Sequence, residues 1–222
     1  MLRFPKAGHW IWFLDLGPRA SGSHLNLAEH MSSSSPHRGW HSRGYLPHLD
    51  VANELQAVTF RLADALPRKV VERWKTELLQ QPGTADQLLR EKIARYEDAG
   101  YGSCALKNSE VAGIIQDALL CFDAERYRML EWVIMPNHVH ILIHCLPGFS
   151  LGDTIRSWKT YTARKINLLL GKSGKLWSSD YHDRYIRDLD HLANVRAYIR
   201  NNPVKAGLCK TASDWPWSSA AR

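Results

Sequence analysis

The sequence predicts an α+β domain built on one mostly antiparallel sheet flanked by helices. Three observations carry that expectation. Strand-like runs alternate with stretches of helical apolar spacing along the chain. Two strand-like runs, Tyr127 to Ile134 and Val139 to His144, follow each other closely through Met135-Pro136-Asn137. Apolar residues make up 45% of the 222 residues, enough for a real core.

The elements follow in order. Leu55-Gln-Ala-Val-Thr-Phe-Arg-Leu62, bounded by Asp64 and Pro67, reads as a strand, and the ordered pattern begins there. Pro67 opens a helix with Val70, Val71, Trp74, Leu78 and Leu79 at helical spacing, running to about Gln81 before Pro82–Gly83 breaks it. Thr84 caps a second helix carrying Leu88, Leu89, Ile93 and Tyr96, which Gly100 ends. Asn108 caps a third, with Val111, Ile114, Ile115, Ala118 and Leu119. After the strand pair, Ser150 caps a long helix to about Leu170, whose buried stripe is Leu151, Ile155, Trp158, Thr162, Ile166 and Leu169. Gly171 and Gly174 mark a loop, and Tyr185 to Asp188 form a short strand. A last helix runs from about Leu189 to Asn201 or Asn202 and stops at Pro203.

Residues 1–37 read as an extension outside the fold, and 38–222 as the domain. Trp10 to Leu14 is a short apolar run after Arg3 and Lys6. It is too short for a signal peptide and is broken by Asp15. Ser32 to Ser35 with Pro36 reads as a flexible linker, and Met31 is an alternative start. No run of about 18 apolar residues predicts a membrane span. Cys104, Cys121, Cys145 and Cys209 are widely spaced with no Cys-x-x-Cys pair, which fits reduced thiols in a cytoplasmic protein.

Net charge is +7 and the pI about 9.3. Between Ser150 and Lys210 there are twelve Lys or Arg against five acids, so this third alone carries the whole-chain excess. A basic field of that kind invites an anionic partner.

Two motifs carry chemistry. In Met135-Pro136-Asn137-His138-Val139-His140-Ile141-Leu142-Ile143, the period of two puts His138 and His140 on one strand face and Val139, Ile141 and Ile143 on the other. Two imidazoles held rigidly by one strand offer two metal ligands; a hydrogen-bonded pair of structural histidines is the alternative. In Tyr198-Ile199-Arg200-Asn201-Asn202-Pro203, Tyr198 and Asn202 are i and i+4 and share one helix face. The amide can supply a third ligand and the phenol a nucleophile; equally, Tyr198 can pack at a helix end and Asn202 merely terminate it.

Taken together, these residues resemble the REP-associated tyrosine transposases of the HUH endonuclease superfamily. The resemblance rests on Trp132 to Ile143, on Trp177 with Tyr181-His182-Asp183-Arg184-Tyr185-Ile186-Arg187-Asp188, on Tyr198 to Gly207, and on Asp214-Trp215-Pro216-Trp217-Ser218-Ser219. Trp40-His-Ser-Arg43-Gly44-Tyr45-Leu46-Pro47 also looks like the family's N-terminal part. It covers roughly residues 38–220; stretch 82–107 looks longer than in the smallest relatives.

The resemblance implies a ferredoxin-like HUH fold and a single-stranded DNA endonuclease and transposase acting at repetitive palindromic hairpins. It implies Tyr198 as nucleophile, forming a 5′-phosphotyrosine bond, and His138, His140 and Asn202 as ligands of a divalent metal. Oxygen and imidazole ligands suit magnesium or manganese. Tyr161 is the rival nucleophile, disfavoured because its i+4 partner is Lys165. Single-stranded or hairpin DNA is the expected partner, met by Arg43, Arg156, Lys159, Trp177, Arg184, Arg187 and Lys205, with Trp177, Tyr181 and Tyr185 stacking on unpaired bases. No nucleotide cofactor is needed, because bond energy stays in the covalent intermediate. Monomer and homodimer are both compatible with the sequence. The alternatives from other classes are a domesticated DNA-hairpin-binding protein without turnover and a metal hydrolase that does not act on nucleic acid.

Overall fold

A computed structural model describes residues 39–42, 47–50, 54–79 and 85–222. The expected extension 1–37, the start at Met31, Arg43 and the cap Thr84 lie outside the described residues. Strands β1 (Gly39–Ser42) and β2 (Pro47–Asp50) pair antiparallel as a small separate sheet. Order therefore begins before Leu55; these strands are too short to show a period of two in the sequence.

The main sheet holds β3 (Leu55–Arg61), β4 (Tyr127–Ile134), β5 (His138–Cys145) and β6 (His182–Tyr185) in the order β4-β5-β3-β6, with every neighbouring pair antiparallel. The helices are α1 (Arg68–Leu78), α2 (Ala85–Asp98), α3 (Ser109–Leu120), α4 (Leu151–Leu169) and α5 (Leu189–Lys205). The α+β reading of the sequence holds. Two caps are as read: Asn108 accepts from the backbone of Glu110 and Val111, and Ser150 from that of Asp153.

Strand β5 is buried on both faces. Val139, Ile141 and Ile143 join Val111, Ile115 and Leu119 of α3 and Ile155, Trp158 and Ile166 of α4 in the main core. Leu142 points the other way and packs with Val133, Met135 and Ile199 of α5. Thus α5 covers the face that carries His138 and His140. Helices α1 and α2 share their own cluster through Val71, Trp74 and Ile93. The free edge of β4 is covered by the C-terminal segment: Ile134 N donates to Trp217 O at 2.8 Å, and Trp215 Nε1 to Ile134 O at 3.0 Å.

The buried stripe of α4 ends at Ile166, because Leu169, in the last turn of the helix, is 43% exposed. The strand expected at 185–188 is β6, three residues earlier, because Asp188 is taken as the N-cap of α5 and accepts from His191 N at 2.7 Å. The last helix does not stop at Pro203. A proline costs the helix one backbone donor near its end, and α5 continues through it. The stop is Gly207, left-handed at φ 69°, where Gly207 N meets Val204 O and Leu208 N meets Pro203 O, both at 2.9 Å. Tyr181 is buried, and Trp177 does not face solvent for base stacking either. It is buried against Phe60, ring centroids 5.0 Å apart, and its Nε1 donates to Thr162 Oγ1 at 2.9 Å. A tryptophan between exposed loop residues looks the same in sequence whether it turns in or out.

Candidate metal and tyrosine site

The strand register builds the first half of the site. Thr59 stands opposite His140 and Arg61 opposite His138 across β3 and β5. Both imidazoles are buried, and their Nε2 atoms lie 2.9 Å apart. Asn137 sets the tautomer of the first: its amide NH2 donates to Glu97 O at 3.2 Å and Tyr101 O at 2.9 Å, so its Oδ1 faces His138 Nδ1 at 2.7 Å and must accept from it. His138 Nε2 then presents a lone pair to the site. Thr59 Oγ1 lies 2.7 Å from His140 Nδ1 and, as a hydroxyl that can donate or accept, anchors that ring without fixing its tautomer. Such partners on the far ring nitrogen are what orient metal-ligating histidines.

Burial, then the neighbouring His140 and Arg61, hold His138 well below its ordinary pKa. Burial, then His182 and Lys205, push His140 down to about 3. Both rings are therefore neutral near neutral pH, the form that binds a cation.

Helix α5 supplies the other half. Asn202 is buried, with Nδ2 3.3 Å from His140 Nε2 and 3.5 Å from Asp98 Oδ1. Its Oδ1 is buried without a hydrogen-bond partner. Turning the amide would offer that oxygen to a cation in the place where its NH2 now sits. One turn earlier, the Tyr198 ring lies 5.2 Å from the His140 ring and is 37% exposed, open to a ligand from solvent. Burial first, then the charges of Asp98 and Glu97, raise the Tyr198 pKa well above that of a free phenol; Asn202 opposes this.

Asp98, the last residue of α2, was not foreseen. Its Oδ1 is 3.9 Å from His138 Nε2, and ligand atoms of Asp98, His138 and His140 all lie within 4.8 Å of one another. The donor set of two imidazoles and one carboxylate fits a divalent metal. Beside it, Glu97 pairs with Arg61 at 2.8 Å, and burial raises Glu97 to about 7 although Arg61 opposes.

The basic residues divide. Lys205 is at the site: Nζ is 3.4 Å from Asp98 Oδ2 and 5.6 Å from the Tyr198 ring centroid. Arg184 on β6 and Arg187 before α5 are exposed. Arg156 and Lys159 lie on α4, against the opposite face of the sheet. Arg156 pairs with Asp153 at 2.9 Å, and Lys159 donates to Ser179 O at 3.2 Å. With Lys175 and Tyr181 they line a cavity of about 370 Å³ between α4 and residues 174–181. Tyr161 is also on α4, half-exposed and with Lys165 over its ring.

The sheet thus presents a histidine pair, and the helix that covers it presents a tyrosine and an amide to the same place. Residues 108–202 match the family model described as Transposase IS200 like. A provisionally named REP-associated tyrosine transposase of Haemophilus influenzae is 33% identical over 100 residues, 40% of this chain and 56% of that protein. The REP-associated tyrosine transposase of Escherichia coli is 28% identical over 96 residues, 43% of this chain and 56% of that protein. The chain thus spans little more than half the length of the curated relatives it matches. A solved REP-associated tyrosine transposase, described as bound to a REP hairpin, superposes with a TM-score of 0.52 at 19% identity, over 82% of this chain and 83% of that one. Residues 108–202 are thus similar to the IS200-like transposases, and the chain shares the fold of that solved structure. Among the described residues no helix is long and apolar enough to cross a membrane.

Proposed function

We propose that this protein is a metal-dependent single-stranded DNA endonuclease and strand transferase that acts at hairpin DNA through a 5′-phosphotyrosine intermediate, in the cytoplasm. The observation that carries the reading is that one helix, α5, brings Tyr198 beside the His140 ring and Asn202 within 3.3 Å of His140 Nε2. His138, His140, Asp98 and Asn202 would hold the cation, magnesium or manganese by their nitrogen and oxygen donors. Bound there, such an ion polarises a non-bridging phosphate oxygen.

The chain's own residues account for the rest. Asp98 carries part of the charge that keeps the Tyr198 phenol protonated. Whatever neutralises Asp98 therefore eases formation of the phenolate. The Tyr198 oxygen bonds to phosphorus as the bond from phosphorus to the 3′ oxygen breaks, and that oxygen leaves as a 3′-hydroxyl by taking a proton. Attack by a 3′-hydroxyl on the phosphotyrosine reverses the step and rejoins the strand. Lys205, Arg184 and Arg187 are the exposed cations of this half of the chain best placed to meet phosphates.

The test is to incubate the protein with single-stranded repeat hairpin DNA, with magnesium or manganese and with chelator. The reading expects a denaturation-resistant protein–DNA adduct that requires the metal. Salt-dependent binding with no adduct would instead identify a hairpin-binding protein without turnover.

A further inference from the structure

Glu131 is fully buried on β4, at the register irregularity between Met129 and Glu131. A carboxylate in that position is very costly unless it is paired and hydrogen-bonded. Both its oxygens are engaged. Arg196 Nε donates to Oε1 at 2.8 Å, Arg200 Nε to Oε2 at 2.9 Å, and Ser219 Oγ to Oε2 at 2.7 Å. Burial opposes ionisation, yet these bonds outweigh it and hold the carboxyl below its ordinary range. Two successive turns of α5 are therefore fastened to one buried anion on the sheet.

The helix geometry shows what that fastening controls. Ile199 is the buried apolar contact of α5 with Val133, Met135 and Leu142. Viewed down the axis, Tyr198 lies about 100° to one side of Ile199 and Arg200 about 100° to the other. Asn202 falls with Tyr198, and Arg196 with Arg200. The apolar contact, to which Leu192 and Val195 of α5 add, is non-directional and resists a roll about the helix axis less sharply than bonds of fixed direction do. The two guanidinium bonds are directional and resist that roll. A roll of about 10° moves an atom about 6 Å from the axis by about 1 Å. A misplacement of about 1 Å in a reacting group can cost on the order of 10²-fold in rate.

We propose that Glu131 is the positioning residue for the tyrosine: it fixes the roll of α5, and through it the place of the Tyr198 hydroxyl at the histidine pair. This rests on the reading of Tyr198 as nucleophile for its consequence in rate, but not for the placement itself.

The experiment compares parent and Glu131→Gln, both carrying 3-fluorotyrosine, by fluorine NMR without DNA or metal. Tyr198→Phe and Tyr161→Phe identify the two signals. The Tyr198 signal is expected to shift and broaden in Glu131→Gln while that of Tyr161, on α4, stays in place. Single-turnover adduct formation is expected to fall about 10–100-fold, with hairpin affinity held within about twofold. Should Glu131→Gln fail to fold, Arg200→Lys loosens one of the two attachments from the half-exposed side and is read in the same way. An unmoved Tyr198 signal in the folded variant overturns the proposal, as does a rate loss matched by an equal loss of affinity. If the parent forms no adduct, the nucleophile reading falls, and the fluorine signal still decides whether Glu131 places the tyrosine.

Discussion

His138 and His140 bring their Nε2 atoms to 2.9 Å of each other from same-face positions of one strand. With Asn137 forcing the proton onto the far nitrogen of His138, the nitrogen that faces the shared space keeps its lone pair, which suits a cation. Binding there must stabilise the fold: at a ligand concentration of about 100 times Kd the gain is about 2.7 kcal/mol. Manganese is expected to raise the Tm of the parent and to leave His138→Ala and His140→Ala unmoved. From sequence, with Asn202 at a helix end, water would replace its amide and Asn202→Ala would be mild. The structure places Asn202 inside α5 and 1% exposed. Asn202→Ala and Asp98→Asn are therefore each expected to weaken metal binding by about tenfold or more. Titration of Tm with manganese across the five proteins reads this, and a full response in the histidine variants would make the pair structural.

Tyr198→Phe is expected to abolish adduct formation while leaving hairpin affinity nearly intact, since one partly exposed oxygen is removed. Tyr161→Phe should cut normally, because α4 packs on the sheet face away from the histidines. Gel analysis of adduct formation separates the two, and the opposite pattern would move the nucleophile to α4.

A buried histidine outside the site gives a pH dependence. His48 is held between Asp180 at 2.7 Å and Asp183 at 2.5 Å. Burial alone would discharge the ring, but the bonds to the two carboxylates outweigh it and push its pKa up to about 9. Between about pH 6.5 and 9 the folded chain then holds a proton that the unfolded chain has lost, so stability falls as pH rises. The contribution is complete below about pH 6.5 and amounts to roughly 3 kcal/mol. Urea unfolding should show the parent losing stability from pH 6.5 to 9.5. His48→Gln should start lower, because Asp180 and Asp183 lose the cation they share, and fall less. A slope common to both proteins would contradict the assignment.

Val139 lies between the two histidines but faces the α3–α4 core and is fully buried. Val139→Ala is expected to cost about 1–3 kcal/mol of stability without changing metal affinity. Calorimetry and metal titration on the same sample check both halves, and a loss of affinity would show that the two strand faces are coupled.

Much of this arrangement was legible because it is local. The alternation around Val139 put the histidines on one face, and the one-turn spacing put Tyr198 with Asn202; the structure bears out both. The N-caps at Asn108 and Ser150 were equally local. What was hidden is non-local. Asp98 ends a helix forty residues before His138, and nothing in Tyr96-Glu97-Asp98-Ala99 distinguishes it from a solvated helix end. Glu131 in a strand reads as an outward-facing charge until the partners Arg196 and Arg200 are in place. Trp177 and Pro203 were misread for the same reason: side-chain direction and helix continuation are decided by packing and by Gly207, not by the residue alone.

A covalent bond between the Tyr198 oxygen and a 5′ phosphate is read out by peptide mass spectrometry. Adduct formed on hairpin DNA is digested with nuclease and trypsin, which releases Ala197–Arg200 as one peptide. This peptide is expected to carry the nucleotide mass on Tyr198 through its 5′ phosphate. Nucleotide mass on the peptide that contains Tyr161, or cleaved DNA with every tyrosine unmodified, would contradict it.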